Sequence, residues 1–304
     1  MRIFTALLAL ILAACTTAEL PAPDAGRFVE IERIAVAGLP DQRVTIWLPP
    51  GYDTDDRRYG VLYMHDGQNL FDPADAHYGK VWRASDVVSD LAAKGAIEPV
   101  IIVGIWSPGE DRYRQYLPQF TYEDASTELR AAMDRHAGGK PIISARYLEW
   151  LADELKPRID ADYRTIAGPS DTAIAGASMG GIMSCYAAIE RPDVFGRAAC
   201  VSSHWPLADP GNESFANEAD AIWRDYILVE AGAPEGRRIW MDHGTAALDQ
   251  HYPPRQAYVS QAFRVAGWKE ERDFVAREYV GAEHDEIAWN ERLPEMLTCL
   301  LSER

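Results

Sequence analysis

Two kinds of hydrophobic pattern alternate along most of this chain. Residues 59–64 and 100–105 are continuous apolar runs, as expected of strands that are buried on both faces of a sheet. Residues 145–159 instead place Leu148, Leu151 and Leu155 at helical spacing. The alternation of strands with helices predicts an α/β fold, with a doubly wound, mostly parallel sheet and helices on both of its faces.

The beginning of the folded region has a different pattern. Residues 28–35 and 42–48 alternate apolar with polar positions and are joined near Gly38, which predicts a hairpin. This hairpin would supply antiparallel strands at one edge of the sheet. Residues 106–118 contain no regular period and are expected to form a long loop. Further strands are predicted at 198–202, 238–242 and 273–280, and further helices at 84–94, around 219–229, at 254–266 and at 286–300.

The first fifteen residues are interpreted as a targeting segment. Arg2 precedes an apolar run, residues 3–14, that is too short to span a membrane as a helix. The run ends in Leu-Ala-Ala before Cys15, which resembles the lipobox of bacterial lipoproteins. That resemblance implies cleavage before Cys15, lipidation of this cysteine, and a periplasmic or outer-membrane location. An ordinary secretory signal with a chance cysteine is the alternative.

The rest of the chain is interpreted as a tether followed by one domain. Residues 16–26 contain two prolines and several small residues, and residues 27–304 are predicted to form a single catalytic domain. Acidic residues number 47 and basic residues 30, so the net charge is -17. Phosphate binding requires a basic surface, so nucleic acid is not an expected partner. Membrane contact is expected only through the lipid on Cys15.

The remaining three cysteines, Cys185, Cys200 and Cys299, lack metal-ligand spacing. They are expected to be small core residues, although the exported location permits a disulfide. Neither a metal nor a cofactor is predicted. A small molecule is the expected partner.

The strongest chemical motif lies at residues 176–180, which read Gly-Ala-Ser-Met-Gly. A β-leaning run at 172–175 precedes it, and an apolar helical run at 182–189 follows. In a strand–turn–helix of the form G-x-S-x-G, the serine lies on a strained tip with its hydroxyl exposed. Ser178 is therefore the candidate nucleophile; a tight turn with an idle serine is the alternative.

A serine nucleophile needs a base, and seven histidines are available. His284 directly follows the last predicted strand, at the sheet edge where Ser178 must lie. The order Ser…acid…His also requires the histidine to come last. His284 is the predicted base, and His204, near another strand end, is the substitute.

The acid that orients the base should follow the penultimate strand, where two aspartates occur. Asp242 lies within the strand and is aimed by its pleat. Asp249 lies in the following loop and can reach over the sheet edge toward His284, so it is preferred. Without either contact, the site would operate as a Ser–His dyad.

An oxyanion intermediate requires two N–H donors. The residue after the nucleophile, Met179, supplies one. The backbone N–H of Gln68, just past Gly67 in the loop after the strand ending at Met64, is the candidate for the other. A plain glycine turn is the alternative for this loop.

Three segments together resemble the esterase D/enterochelin-esterase-like branch of the α/β hydrolases: residues 62–71 (Leu-Tyr-Met-His-Asp-Gly-Gln-Asn-Leu-Phe), 176–181 and 281–284. The resemblance extends from about Arg27 to the C-terminus. It implies an α/β-hydrolase fold, carboxylic-ester chemistry without a metal, and the same site residues. Relatives often place the acid three residues after the glycine, which here is Ala247.

The residues that would bind the substrate are less strongly indicated. Trp106 and Arg112 lie on a loop that should border the site, where tryptophan suits an aromatic ring and arginine a carboxylate or catecholate. A loop held by its own ion pairs with Glu110 and Asp111 is an equally good interpretation. Trp205 and residues 206–235 are expected to form the opposite wall.

These patterns together predict a lipid-anchored serine esterase that hydrolyses carboxylic esters through an acyl-enzyme. The ester could belong to a siderophore, an acylated sugar or an aromatic acid. Acyl transfer to a sugar or another alcohol is the alternative within this chemistry. A surface binding protein on a hydrolase scaffold is the alternative outside it.

Overall fold

The computed structural model describes residues 25–302. The signal segment with Cys15, and the tether as far as residue 24, lie outside the described residues. The lipidation and location assigned to them stay predictions.

One sheet of eight strands organises the described residues. The strands are β1 (Arg27–Ile34), β2 (Gln42–Leu48), β3 (Gly60–His65), β4 (Val100–Ile105), β5 (Thr172–Ala177), β6 (Arg197–Val201), β7 (Arg238–Gly244) and β8 (Phe274–Tyr279). Their spatial order is β1-β2-β4-β3-β5-β6-β7-β8. β1 and β2 pair antiparallel, as do β2 and β4, and all other neighbours are parallel. The predicted parallel sheet with an antiparallel N-terminal edge is confirmed.

Helices cover both faces of the sheet. The α-helices are α1 (Ala84–Ala93), α2 (Arg112–Tyr116), α3 (Gln119–Glu123), α4 (Thr127–His136), α5 (Ser144–Trp150), α6 (Lys156–Asp162), α7 (Met179–Glu190), α8 (Glu213–Glu230), α9 (Pro253–Val265) and α10 (Glu286–Leu301). A π-helical turn, Leu151–Leu155, joins α5 to α6. Because strand residues alternate between faces, Ala173 and Ala175 of β5 pack toward α1 and α10, whereas Ile174 packs toward α7.

Two regions differ from the sequence-based expectation. The predicted loop at 106–118 contains the short helix α2. The prediction also lacked α4, in which the Ser126 side chain caps the helix by accepting a hydrogen bond from the Leu129 N–H. The signal for α4 was present, because Leu129, Ala132 and Met133 recur at helical spacing and are buried.

The described residues contain free Cys185, Cys200 and Cys299, of which the first two are buried. No helix among residues 25–302 is long and apolar enough to cross a membrane. Over the same range, no group of three or more His, Cys, Asp or Glu side chains is arranged to hold a metal ion.

Candidate active site

Ser178 occupies a strained turn between β5 and α7. Its backbone angles are φ 59° and ψ -120°, in a region that side chains other than glycine rarely adopt. Two hydrogen bonds hold this conformation: the Ser178 N–H donates to the Val201 carbonyl at 2.9 Å, and the Ser178 carbonyl accepts from the His204 N–H at 3.1 Å. The neighbouring strand β6 therefore fixes the position of the serine.

The glycines of the motif are required by close contacts rather than by flexibility. A Cβ on Gly176 would lie 2.7 Å from the Gly180 carbonyl carbon, and one on Gly181 would lie 2.5 Å from Ser203 Oγ. A Cβ on Gly180 would approach the side chain of His65 at 3.1 Å. Strand, helix and oxyanion loop can converge around Ser178 only without these side chains.

His284 and Asp249 meet directly above the carboxyl ends of the strands. His284 Nδ1 lies 2.5 Å from Asp249 Oδ1. The Asp249 side chain is fully buried, and its second oxygen accepts hydrogen bonds from the Gly244 N–H and from Ser202 Oγ, each at 2.6 Å. Burial alone would raise the pKa of Asp249, but the bonds from His284, Ser202 and Gly244 hold it below its ordinary value.

This hydrogen bond fixes the tautomer of the neutral histidine. An ionised carboxylate can only accept, so His284 Nδ1 carries the proton and Nε2 carries the lone pair. Ser178 and His284 line the same cavity. The structure thus places the predicted base in contact with the predicted acid and the predicted nucleophile in the same cavity as the base.

Asp242, the alternative acid, has a separate set of partners. Its Oδ1 lies 3.2 Å from the Arg292 guanidinium, and its Oδ2 accepts a hydrogen bond from Trp240 Nε1 at 2.7 Å. It is fully buried, and this burial raises its pKa despite the nearby Arg292 charge. Between the two candidates, only Asp249 contacts His284.

A tight backbone approach brings Asp249 into place. A Cβ on Gly244 would lie 2.1 Å from the Ala282 carbonyl oxygen and 3.0 Å from Asp249 Oδ2. Ala247 adopts a positive φ of 51° at the start of the turn that carries Asp249. The acid therefore reaches His284 from the loop, as its position in the sequence indicated.

Ser202 was not singled out by the sequence, yet it contacts the acid. Besides donating to Asp249, its oxygen lies 3.1 Å from Trp289 Nε1 and 2.5 Å from an Arg292 guanidinium nitrogen. Trp289 also packs edge-on against the His284 ring, at 5.1 Å between centroids. The available signal was the spacing of Trp289 and Arg292, which places both on one face of α10.

His204, the substitute base, is already committed to other partners. Its Nε2 lies 2.8 Å from the Ala208 carbonyl, and its Nδ1 lies 2.8 Å from the Tyr252 hydroxyl. Because a carbonyl only accepts, Nε2 carries the proton and Nδ1 accepts from Tyr252. Burial lowers the pKa of His204 to about 4. Tyr252, another residue absent from the prediction, packs its ring edge-on against His284 at 5.7 Å.

The loop after β3 carries Gln68, the predicted oxyanion donor. Asp66 adopts a left-handed conformation with φ 57°, and Gly67–Asn69 forms a single 3₁₀ turn. The Gln68 side-chain amide makes two hydrogen bonds with Ser107. Its Nε2 donates to Ser107 Oγ at 2.9 Å, and its Oε1 accepts from the Ser107 backbone N–H at 3.1 Å. The N–H groups of Gln68 and Met179 both lie in the first turn of a helix, where backbone donors have no intrahelical acceptor.

Arg112 stabilises this loop through an ion pair with Asp66. Its guanidinium binds both oxygens of Asp66, at 2.6 and 2.7 Å, and lies 3.4 Å from the Ala177 carbonyl. Burial would raise the pKa of Asp66, but the Arg112 charge and hydrogen bonds hold it below its ordinary value. Arg112 lines the cavity as predicted, but its charge is already neutralised by Asp66.

The cavity at Ser178 has a volume of about 510 Å³, and both polar and aromatic side chains line it. Tyr78, at its rim, is 95% exposed. The remaining lining residues are His65, Asp66, Gln68, Asn69, His77, Lys80, Trp82, Ser107, Gly109, Arg112, Ala177, Ser178, His284, Asp285, Glu286 and Trp289. The rim segment around Tyr78 was not expected at the site.

Two expected substrate contacts are corrected by the structure. Trp106 lies outside this cavity: its Nε1 donates to Thr45 Oγ1 at 2.9 Å, and the Arg43 guanidinium stacks 3.6 Å from its ring. Trp205 is 1% exposed, because it packs edge-to-face on Trp223 at 4.9 Å between centroids. Both tryptophans contact other protein side chains, and neither lines the cavity at Ser178.

Comparison with known proteins identifies the family of the chain. A family model described as "Putative esterase" matches residues 40–300. The endo-1,4-beta-xylanase/feruloyl esterase of Xylanibacter ruminicola is 26% identical over 263 residues, which make up 85% of this chain and 29% of that protein. The chain therefore spans less than a third of that longer relative.

Solved structures show the same fold. A ferulic acid esterase has a TM-score of 0.62 and 22% identity, covering 91% of this chain and 98% of its own. Enterobactin esterase from Shigella flexneri has a TM-score of 0.64 and 17% identity, with coverage of 90% and 59%. The family match extends over most of the chain and includes every site residue described above. The chain belongs to this esterase family and is a carboxylic-ester hydrolase.

Proposed function

We propose that the protein hydrolyses small carboxylic esters through an acyl-enzyme on Ser178. The observation that carries this proposal is the hydrogen bond between His284 Nδ1 and the buried, ionised Asp249. It leaves the lone pair of Nε2 as the base in the cavity that Ser178 also lines. A serine hydroxyl becomes a useful nucleophile only with such a base.

In the first step, Ser178 Oγ attacks the ester carbonyl carbon as its proton passes to His284 Nε2. Asp249 remains ionised and stabilises the imidazolium that forms. The carbonyl oxygen becomes an oxyanion, which the N–H groups of Gln68 and Met179 would receive. Preorganised donors of this kind typically contribute about 10²–10³-fold to the rate.

Collapse of the intermediate expels the alcohol, which takes the proton from His284. The acyl group is then bound to Ser178 as an ester. Water attacks this ester by the same route, giving up its proton to His284 and releasing the carboxylic acid. The cycle returns Ser178 and His284 to their starting states.

The cavity volume supports a small ester as substrate. A space of about 510 Å³ lies within the range of typical small-molecule sites. Feruloyl and enterobactin esters, named for the relatives, are the aromatic candidates to test alongside short acyl chains. The exposed Tyr78 ring at the rim supports an aromatic group there.

We also propose that the protein is exported and anchored through lipid on Cys15. This rests on the apolar run of residues 3–14 and on the small residues before Cys15. Two or more acyl chains would give stable anchoring.

The proposal is tested by initial rates on chromogenic esters from acetate to octanoate, with feruloyl and catechol-type esters added. Ser178→Ala is expected to reduce turnover by about 10⁴-fold or more while the protein stays folded. Turnover that survives this substitution would contradict the proposal. An alcohol acceptor that accelerates product formation would instead indicate acyl transfer.

A further inference from the structure

The charged side chains that line the catalytic cavity form neutral pairs, with one exception. Asp66 is bound by Arg112, and Asp285 by Lys80 at 2.7 Å. Glu286 is the remaining carboxylate, and its Oε1 accepts a hydrogen bond from the uncharged Asn69 amide at 2.7 Å. Residues 25–302 provide no ion-pair partner for it. The cavity lining therefore carries one uncompensated negative charge.

The surroundings of Glu286 add to this negative field. Glu286 is half-buried, and burial raises its pKa. Its own backbone N–H and His284 favour the ionised form, whereas the Asp66 and Asp285 carboxylates raise the pKa. The paired cations Arg112 and Lys80 thus do not make this part of the cavity positive. The whole chain, with a net charge of -17, has the same sign. An anionic ligand would meet repulsion that water only partly screens.

The position of Glu286 relates this charge to one part of the ester. Glu286 begins α10, two residues after His284, which donates a proton to the departing alcohol. Its partner Asn69 directly follows Gln68 in the oxyanion loop, and Asn69 Oδ1 accepts a hydrogen bond from the His77 N–H at 3.0 Å. Glu286 thus lines the cavity close in sequence to the proposed base, and Asn69 links it to His77 next to Tyr78.

We propose that Glu286 determines the substrate class by selecting the alcohol portion of the ester. It favours an alcohol that presents a hydroxyl or an ammonium donor and disfavours one that carries negative charge. This inference rests on the proposed esterase function. Arg112 is accordingly a support of the oxyanion loop and not a receptor for an anionic substrate.

The test uses acetate esters of alcohols of one length that end in an ammonium, hydroxyl, methyl or sulfonate group. In the wild type, we expect kcat/KM for the ammonium ester to exceed that for the sulfonate ester by about tenfold or more. High salt should reduce this ratio. The ratio of kcat/KM for the hydroxyl ester to that for the methyl ester measures the contribution of hydrogen bonding in the absence of charge.

Glu286→Gln keeps the shape of the side chain and removes its charge. The ammonium-to-sulfonate ratio is expected to fall by about tenfold. Glu128→Gln, on the exposed side of α4, makes the same change in net charge away from the cavity and should leave the ratio unchanged. An equal fall in both variants would assign the preference to overall charge and overturn the proposal.

The wild type alone can also overturn the inference. A wild-type preference for the sulfonate ester would do so, even if Glu286→Gln failed to fold. Should no ester be turned over, the proposed function fails separately. The charge preference is then read from the rates at which cationic and anionic fluorophosphonates label Ser178, and equal rates would refute it.

Discussion

At the scale of single residues, the direction of the Ser202 hydroxyl proton determines whether Ser202 donates a hydrogen bond to Asp249. The Ser202 oxygen faces two N–H donors, Trp289 and Arg292, which cannot accept a hydrogen bond. Its own proton must therefore point toward Asp249 Oδ2. Ser202 is therefore proposed as a positioning residue that links Arg292 to the predicted acid, Asp249.

Ser202→Ala should weaken catalysis and shift its pH dependence. The change removes one donor to a buried carboxylate, and such charge-assisted bonds contribute about 1.5–3 kcal/mol, so kcat/KM should fall by about tenfold or more. Ser202 is among the donors that hold the pKa of Asp249 below its ordinary value, so without it that pKa rises and Asp249 becomes protonated at a higher pH. The acidic limb of the kcat/KM profile should therefore move to higher pH.

Ser203→Ala is the matched control for this change. Ser203 is buried beside Ser202, but its hydroxyl has no hydrogen-bond partner in the described structure. Its removal should leave both the rate and the acidic limb near those of the wild type. If Ser202→Ala matched Ser203→Ala in both measurements, Ser202 would have no positioning role.

At the scale of secondary-structure elements, the site depends on loops that approach each other more closely than side chains permit. The loop after β7 carries the proposed acid, Asp249, and the loop after β8 carries the proposed base, His284. Their contact is the backbone of Gly244 against the carbonyl of Ala282. The two N–H groups of Thr245 and Ala246 both donate to that same carbonyl, at 3.1 and 3.0 Å.

Gly244→Ala should therefore separate the acid from the base. The added methyl would lie 2.1 Å from the Ala282 oxygen, so one loop must move. We expect the free energy of unfolding to fall by about 1–3 kcal/mol, as for other overpacked sites, and kcat to fall further than this loss of stability explains. Denaturant unfolding and steady-state kinetics measure the two effects.

Gly168→Ala serves as the comparison, because a Cβ there meets its nearest neighbour at 3.8 Å, an ordinary contact. It should affect neither quantity. Wild-type kcat in Gly244→Ala would show that the loops tolerate the displacement, and that the close approach does not fix the acid.

The elements of the central sheet could be predicted because their signals are local. Continuous apolar runs gave β3 and β4, and the glycine spacing around Ser178 gave the strand–turn–helix. Contacts made by residues far apart in the sequence could not be predicted. The pairing of Arg112 with Asp66, and of Arg292 with Asp242, depends on which loops meet in space, and so does the burial of Trp205.

At the scale of the whole molecule, the parallel strands of the sheet bring every proposed catalytic group to one edge. Gln68 follows β3, Ser178 follows β5, Asp249 follows β7 and His284 follows β8. The carboxyl ends of parallel strands are where such sheets bind ligands. Residues that are far apart in the sequence therefore meet in one site, and Tyr78 lies at its rim.

The site of covalent modification tests the central claim most directly. A fluorophosphonate reacts only with an activated serine, so intact-protein mass spectrometry should show one adduct, and peptide mapping should place it on Ser178. His284→Ala, which removes the base and leaves the serine, should prevent labelling. An adduct on another serine, or unchanged labelling in His284→Ala, would contradict catalysis by Ser178 and His284.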